Sequence, residues 1–341
     1  MKFNQIEYKK PFFKINNELN EYLIKYSRSI EIPIQYEDLL RYSSLVPLDD
    51  KNGNPTLWNA VVYSPTELDF LSAGLVDIYR LLISDGSKLA YLAVDSIDFC
   101  SYGNSKPFRI KIKNQINDNY DYYYIKRADS SRVYGLELEH YFSPNKINYI
   151  YYKDTLVEEH IIGIPGDQFI QEVEADKRDF NKVRLAKEFV KFNERCFVRL
   201  LGDMRAYNFV VVVTQDFDQI QYRIRAIDFD QQSFEGRSRI YLPQFYKDNI
   251  FFVNLTQSTM SLETAEQYLI EEQALLKKRY LNEKYQIDYL IRVLKNDQIS
   301  FPEHINNLKA ELNKFHRQPN FLDCKNMGEI LELNIKTRLQ L

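Results

Sequence analysis

From Lys88 to about residue 162 the chain runs in short blocks dense in aromatic and β-branched residues, and from about residue 163 it turns to long amphipathic stretches of helical period. A change of that kind builds a strand-rich half followed by a helical half, which is an α+β protein. LAYLAVDSIDF, FRIKIK and DYYYIKR, separated by the turn-like SYGNSKP and NQINDN, read as three consecutive antiparallel strands. SSRVYGLELEHYF reads as a short helix, and INYIYY and TLVEEHII, joined by Lys153 and Asp154, as two further strands. The order is strand, strand, strand, helix, strand, strand.

Residues 1–87 read as an extension packed on the strand-rich half of residues 88–162, and residues 163–341 form the helical half. Within the extension, LNEYLIKYSRSI suits a helix, EIPIQYEDLL a strand and then a turn, and LDDKNGNP a loop. SPTELDFLSAGLVDIYRLL carries helix signals: Ser64 can cap, Pro65 suits the first position and Glu67 completes a capping box. Leu68, Leu71, Leu75, Ile78 and Leu82 lie on one face, and the helix should end near residues 84–86. A second amphipathic stretch runs from about Asp179 to Leu200, with Val183, Ala186, Val190, Phe197 and Leu200 on its apolar face. NFVVVVT and QYRIRAI then form a hairpin across QDFDQ, and from Ser261 nearly everything is helical. No Gly/Ser-rich linker separates the halves, so they should pack closely with a cleft between them.

At 341 residues and 45% hydrophobic content the chain can bury a large core. Lys and Arg total 45 against 48 Asp and Glu, a net charge of -3, so no global basic field points to nucleic acid. Cys100, Cys196 and Cys324 are widely spaced and lack a CxxC, which fits buried thiols in a reducing compartment. His140, His160, His304 and His316 show no metal-ligand spacing. MKFNQIEYKKPFF lacks a signal-peptide core and no run of eighteen apolar residues occurs, so a soluble cytoplasmic protein with no membrane partner is expected.

The chemistry concentrates in LLGDMRAYNFVVVV, residues 200–213. Asp203 and Asn208 stand five apart, directly ahead of a buried strand. Each residue type favours turns for local reasons alone. Phosphoryl transfer, however, needs a carboxylate to accept a hydroxyl proton, oxygen ligands for magnesium, and cations on the polyphosphate. Asp203 provides the carboxylate, Asn208 the amide, and Asp228, at the far end of the hairpin, a metal carboxylate.

Helix, G-D-x-x-x-x-N loop, strand, turn, strand, I-D-F-D: over about residues 90–240 this order resembles the protein-kinase-like superfamily, closer to the aminoglycoside and choline phosphotransferases and the HipA-type kinases than to eukaryotic protein kinases. The resemblance implies a bilobed kinase-like α+β fold, with an antiparallel-sheet N-lobe, a mostly helical C-lobe and an N-terminal extension, that uses ATP and magnesium. It makes Asp203 the base, Asn208 and Asp228 the metal ligands, and Asp230 a second ligand or a cap. Arg205 would contact the γ-phosphate or the substrate. Lys126 would hold the nucleotide phosphates, paired with Glu137 or Glu139 of the following helix, Glu137 being favoured. Gly103 stands alone in the phosphate-covering loop, leaving contacts to Ser101, Asn104 and Ser105. Backbone groups of Glu158, Glu159 and His160 would meet adenine, and Asp167 the ribose. Leu201 replaces the usual His before Gly-Asp. Arg237 and Arg239 suit a solvated basic patch, and the Glu271-Glu272-Gln273 run is too generic to mark an acceptor site. The expected activity is transfer of the γ-phosphoryl group to a hydroxyl of a protein or small molecule. The alternatives are a pseudokinase that binds nucleotide or scaffolds, and nucleotidyl transfer on the same fold.

Overall fold

The computed structural model describes residues 10–50, 53–83, 91–102, 104–175, 177–216 and 219–341. It is α+β and divides into two compact units, residues 1–130 with 147–160, and residues 131–146 with 161–341.

The first unit holds helices α1 (Asn17–Lys25), α2 (Tyr36–Leu39) and α3 (Pro65–Leu82). Its strands are β1 (Ser44–Asp49), β2 (Pro55–Val62), β3 (Leu92–Cys100), β4 (Phe108–Asn114), β5 (Tyr120–Arg127), β6 (Tyr149–Tyr152) and β7 (Thr155–Glu159). They form one antiparallel sheet in the order β1-β2-β3-β4-β5-β7-β6. Period-two alternation decides its faces. Phe108, Ile110 and Ile112 of β4 and Tyr123 and Ile125 of β5 are buried in the core with Leu71, Leu75, Ile78 and Leu82 of α3. Ser64 caps α3 as expected, its hydroxyl accepting from the Glu67 amide at 3.3 Å. The buried face of α3 nevertheless begins at Leu71, because Leu68 is 42% exposed.

Two features of residues 31–62 differ from expectation. Residues 31–35 form no strand; Tyr36 to Leu39 instead make one helical turn, because the Asp38 carboxylate accepts from the Gln35 amide at 2.9 Å. The hairpin β1-β2 extends the same sheet, with β2 pairing on β3. Pro47 is compatible with a strand there because β1 is an edge. Asp50, just after β1, accepts from the Asn54 amide, just before β2, at 2.8 Å.

The second unit contains nearly all of α4 (Ser130–Phe142), then β8 (Ile164–Pro165), α5 (Gly166–Glu174), α6 (Lys182–Arg199), β9 (Phe209–Asp216) and β10 (Gln219–Ala226). Helices α7 (Ile250–Thr259), α8 (Leu262–Asn282), α9 (Lys284–Lys295), α10 (Pro302–His316) and α11 (Met327–Leu339) follow. Strands β10, β9 and β8 make a three-stranded antiparallel sheet. Helix α6 is capped by Asn181 and contacts α7, α8, α11 and β10. Val183 in its first turn is 51% exposed, so the burial starts at Leu185, and it then takes in charged as well as apolar residues.

Among the described residues no helix is long and apolar enough to cross a membrane. Phe108, wholly buried against Phe99 at 4.6 Å between ring centroids, anchors the first unit's core. Phe108→Ala should cost about 3–5 kcal/mol in urea or guanidinium unfolding of the full chain.

Candidate functional site

The second unit brings the chain after α6 alongside the chain after β10. Helix α6 stops at Leu200, a left-handed residue with φ of 52°. Leu201 then forms a β-bridge with Gln232, the Gly202 amide donates to Gln231 O at 3.2 Å and the Ser233 amide to Leu200 O at 2.9 Å. At the other end of the loop the Ile227 amide donates to Asn208 O at 3.0 Å. These backbone bonds tie the segment that carries Asp203 and Asn208 to the segment that carries Asp228 and Asp230. Gln232 adds a side-chain tie, its amide donating to Arg199 O and Leu200 O.

Asp203 adopts the left-handed conformation, φ 57°, which Asp tolerates better than most residues. The surroundings hold it there. Its amide donates to the Tyr246 hydroxyl at 3.1 Å, which in turn donates to Ile240 O at 2.9 Å. Asn208 donates from Nδ2 to Asp203 O at 2.7 Å, which leaves its Oδ1 as the acceptor end of the amide. Asn249, fully buried, donates to Met204 O and Pro243 O at 2.8 and 2.7 Å. Gly166 opens α5 directly beneath the turn of residues 206–208, where a Cβ would come within 2.5 Å of Ala206 O.

Two arginines set the electrostatics. Arg205 donates from Nε to Asp203 Oδ1 at 2.8 Å, reaches Asp248 at 3.2 Å and lies over the Tyr246 ring. Burial pushes the Asp203 carboxyl above its ordinary value, and Arg205 pulls the other way without cancelling the rise. Arg132, on α4 and 2% exposed, donates to Asp228 Oδ1 at 2.8 Å and to Asp230 Oδ1 at 2.9 Å. No short-range pattern announces Arg132, since it stands 96 residues from Asp228 in sequence.

No protein-family model matches this chain, and no curated protein matches it in sequence. The chemistry of the site therefore rests on its own geometry. Among the described residues no three His, Cys, Asp or Glu side chains gather to hold a metal. One carboxylate and one amide oxygen, Asp228 and Asn208, are still a donor set that suits magnesium, which keeps several waters and takes phosphate oxygens.

The other expected residues lie as follows. Lys126, on β5, bonds Glu158 Oε2 on β7 at 2.8 Å, both side chains being buried. Glu139 is engaged by Arg199 in a buried ion pair, while Glu137 is buried in α4 of the second unit. Glu159 accepts from Asn148 at 2.8 Å, and His160 shares a hydrogen bond with the Tyr124 hydroxyl at 3.1 Å. Burial lowers the His160 pKa and raises that of Tyr124 to about 12. Ser101 and Asn104 are exposed and Ser105 half-buried between β3 and β4, and Gly103 lies outside the described residues. Asp167 sits in the first turn of α5 and accepts from the Gln168 amide. Arg237 and Arg239 are exposed. Sequence reasoning passed over the face formed by Trp58 and Arg109, stacked at 4.4 Å, beside Tyr122 and Tyr124. Alternation along β4 and β5 was the signal for it.

Removing the cation between two carboxylates leaves buried charge uncompensated, so Arg132→Met should lower the unfolding free energy by about 3–5 kcal/mol in chemical denaturation. Asp203 carries a second expectation. Its raised pKa means the folded chain holds that proton more tightly than the unfolded chain does, so stability falls as the pH rises past the ordinary aspartate value and the cost is complete above the folded one. Asp203→Asn should therefore raise the melting temperature at neutral pH. The gain should close as the pH falls through the range in which the wild-type carboxyl takes up its proton.

Proposed function

We propose that this chain is an ATP-dependent phosphotransferase with a bilobed, protein-kinase-like fold, transferring the γ-phosphoryl group to a hydroxyl of a protein or small molecule. The observation that carries the reading is the backbone stitching of the Asp203–Asn208 loop to the Asp228–Asp230 segment. It holds the segments of Asp203, Asn208 and Asp228 to one frame, which supports a reaction governed by positioning and charge in which Asp203 would be the base and Asn208 and Asp228 the oxygen ligands. The strand, strand, strand, helix, strand, strand order of β3 to β7 and α4 supports the same reading.

In this mechanism Asp203 orients the acceptor hydroxyl and takes its proton. A carboxyl with a raised pKa is better suited to that than an ordinary one. Arg205 keeps the carboxylate aimed through its Nε bond. Asn208 Oδ1 and Asp228 would hold magnesium, which when bound offsets charge on the phosphate oxygens. Lys126, fixed by Glu158, is the cation assigned to the nucleotide phosphates. Gln232 supplies a tie at the base of the loop, where Leu201 stands in place of His.

A second reading is a pseudokinase that binds nucleotide without transfer. Arg205 on Asp203 and Arg132 on Asp228 favour it, since both carboxylates already have cationic partners.

Labelled ATP with a panel of hydroxyl acceptors, together with an autophosphorylation assay, separates the two. Asp203→Ala should cut transfer by about 10²- to 10⁴-fold while leaving the Mg-ATP thermal shift in place. Asp228→Asn should abolish the shift, which for the wild type at a hundred times the dissociation constant amounts to about 2.7 kcal/mol. Undiminished transfer by Asp203→Ala would remove Asp203 as the base. A wild type that shows the shift but no transfer to any acceptor is the pseudokinase.

A further inference from the structure

Outside the carboxylate site, the second unit contains a cavity of about 640 Å³, within the range of small-molecule pockets. Arg184, Lys187 and Lys191 line it from α6, Arg223 and Arg225 line it from β10, and Glu188 is its single carboxylate. The three helix residues are spaced three and four apart, so they form one stripe reaching about 10 Å. Arg223 and Arg225 alternate onto one face of β10, opposite Val212 and Val210 of β9 in the register. A helix stripe and a strand face thus present cations to one space.

In a chain of net charge -3, this is a local reversal of sign. Glu188 offsets part of it: its Oε1 accepts from the buried Arg195 at 2.6 Å and from the Ile224 amide at 3.1 Å, and its Oε2 from Arg223 at 3.4 Å, so one carboxylate is divided between two guanidinium groups. Glu271 of α8 lies 3.7 and 3.2 Å from Lys187 and Lys191, and Glu272, itself shared with Arg195, lies 3.9 Å from Lys191, so the cations still outnumber the carboxylates around them. Arg184 and Arg225 are positioned by backbone carbonyls, Ile220 O at 2.8 Å and Lys146 O at 3.1 Å. Their guanidinium groups are set in place before any ligand arrives.

We propose that this cavity binds a compact polyphosphate anion, such as the di- or triphosphate group of a small molecule. Planar guanidinium forks with interleaved ammonium groups match several phosphate oxygens at once. A single nucleic-acid strand fits less well, since it needs aromatic faces on which bases stack. The aromatic side chain lining the cavity, Tyr222, is 7% exposed, and its hydroxyl accepts from the Asn181 amide at 3.0 Å. None of the lining residues belongs to the Asp203 site, so the proposal stands or falls independently of phosphoryl transfer.

The test is calorimetric titration of the full chain with inorganic tripolyphosphate in metal-free buffer. Saturable one-to-one binding is expected, weakening as salt rises from roughly 50 to 200 mM. The double variant Lys187→Gln with Arg223→Gln should weaken it about tenfold or more. Those side chains are 40% and 44% exposed, so the variant should keep the wild-type circular dichroism and melting temperature. Lys284→Gln, on α9, and Asp228→Asn should both bind as the wild type does. Absence of binding at about millimolar tripolyphosphate overturns the proposal, as does a folded double variant with unchanged affinity. Capture of a single-stranded oligonucleotide of about 20 nucleotides that tripolyphosphate cannot displace also overturns it, in favour of strand binding.

Discussion

Helix α6 buries Glu188, Glu194, Arg195 and Arg199 within three turns, and the second unit is arranged around satisfying them. A buried charge without a partner costs several kcal/mol, so each of the four dictates what must pack nearby. Arg195 takes Glu188 of its own helix and Glu272 of α8. Glu194 takes Arg338 of α11 and Gln273 of α8. Arg199 takes Glu139 of α4. Glu188 also accepts from the Ile224 amide of β10. The carbonyls at the end of the helix are met by Asn334 at Phe197 and Val198 and by Gln232 at Arg199 and Leu200. Few alternative positions of α4, α8, α11 or the strands would satisfy this set.

That network explains why the loop after α6 can hold a strained and partly desolvated aspartate. Asp203 sits at positive φ with a carboxyl that burial disfavours as an anion, and neither is a low-energy choice for an isolated loop. The helix behind it is fixed by four buried charges, and the segment beside it by a bridge at Leu201 and Gln232. The cost at Asp203 is met by order elsewhere in the unit.

Much of this was legible in the sequence, and the remainder was not for definable reasons. Strands β3 to β5 and helix α4 follow from alternation and turn chemistry, and α3 from its cap. The return of the segment after β10 to the Asp203–Asn208 loop follows from a hairpin whose strand end comes back to the side of its start. The β1-β2 hairpin has no clear local signal, because a proline argues against a strand unless the strand is an edge, as β1 with Pro47 is. The buried face of α6 is wider than its apolar period, since that period cannot reveal that Glu194 and Arg195 are inside. Arg132 and Glu158 were out of reach as ion-pair partners, because such pairs form across long separations and leave no local pattern.

The two arginines at the carboxylate site have a further consequence. Arg132 between Asp228 and Asp230, and Arg205 between Asp203 and Asp248, make a polar site in which each of these carboxylates has a guanidinium partner from the chain itself. Such a site can be fully formed before any ligand arrives, so binding need not order the loop. A cation entering there must compete with a guanidinium already making charge-assisted hydrogen bonds to the same carboxylate oxygens. A cation accompanied by phosphate oxygens competes on different terms, because the phosphates give a displaced guanidinium new acceptors. Under the proposed function, the guanidinium of Arg132 on Asp228 and Asp230 would thus make a metal-polyphosphate pair, and not a bare metal, the ligand that the site takes.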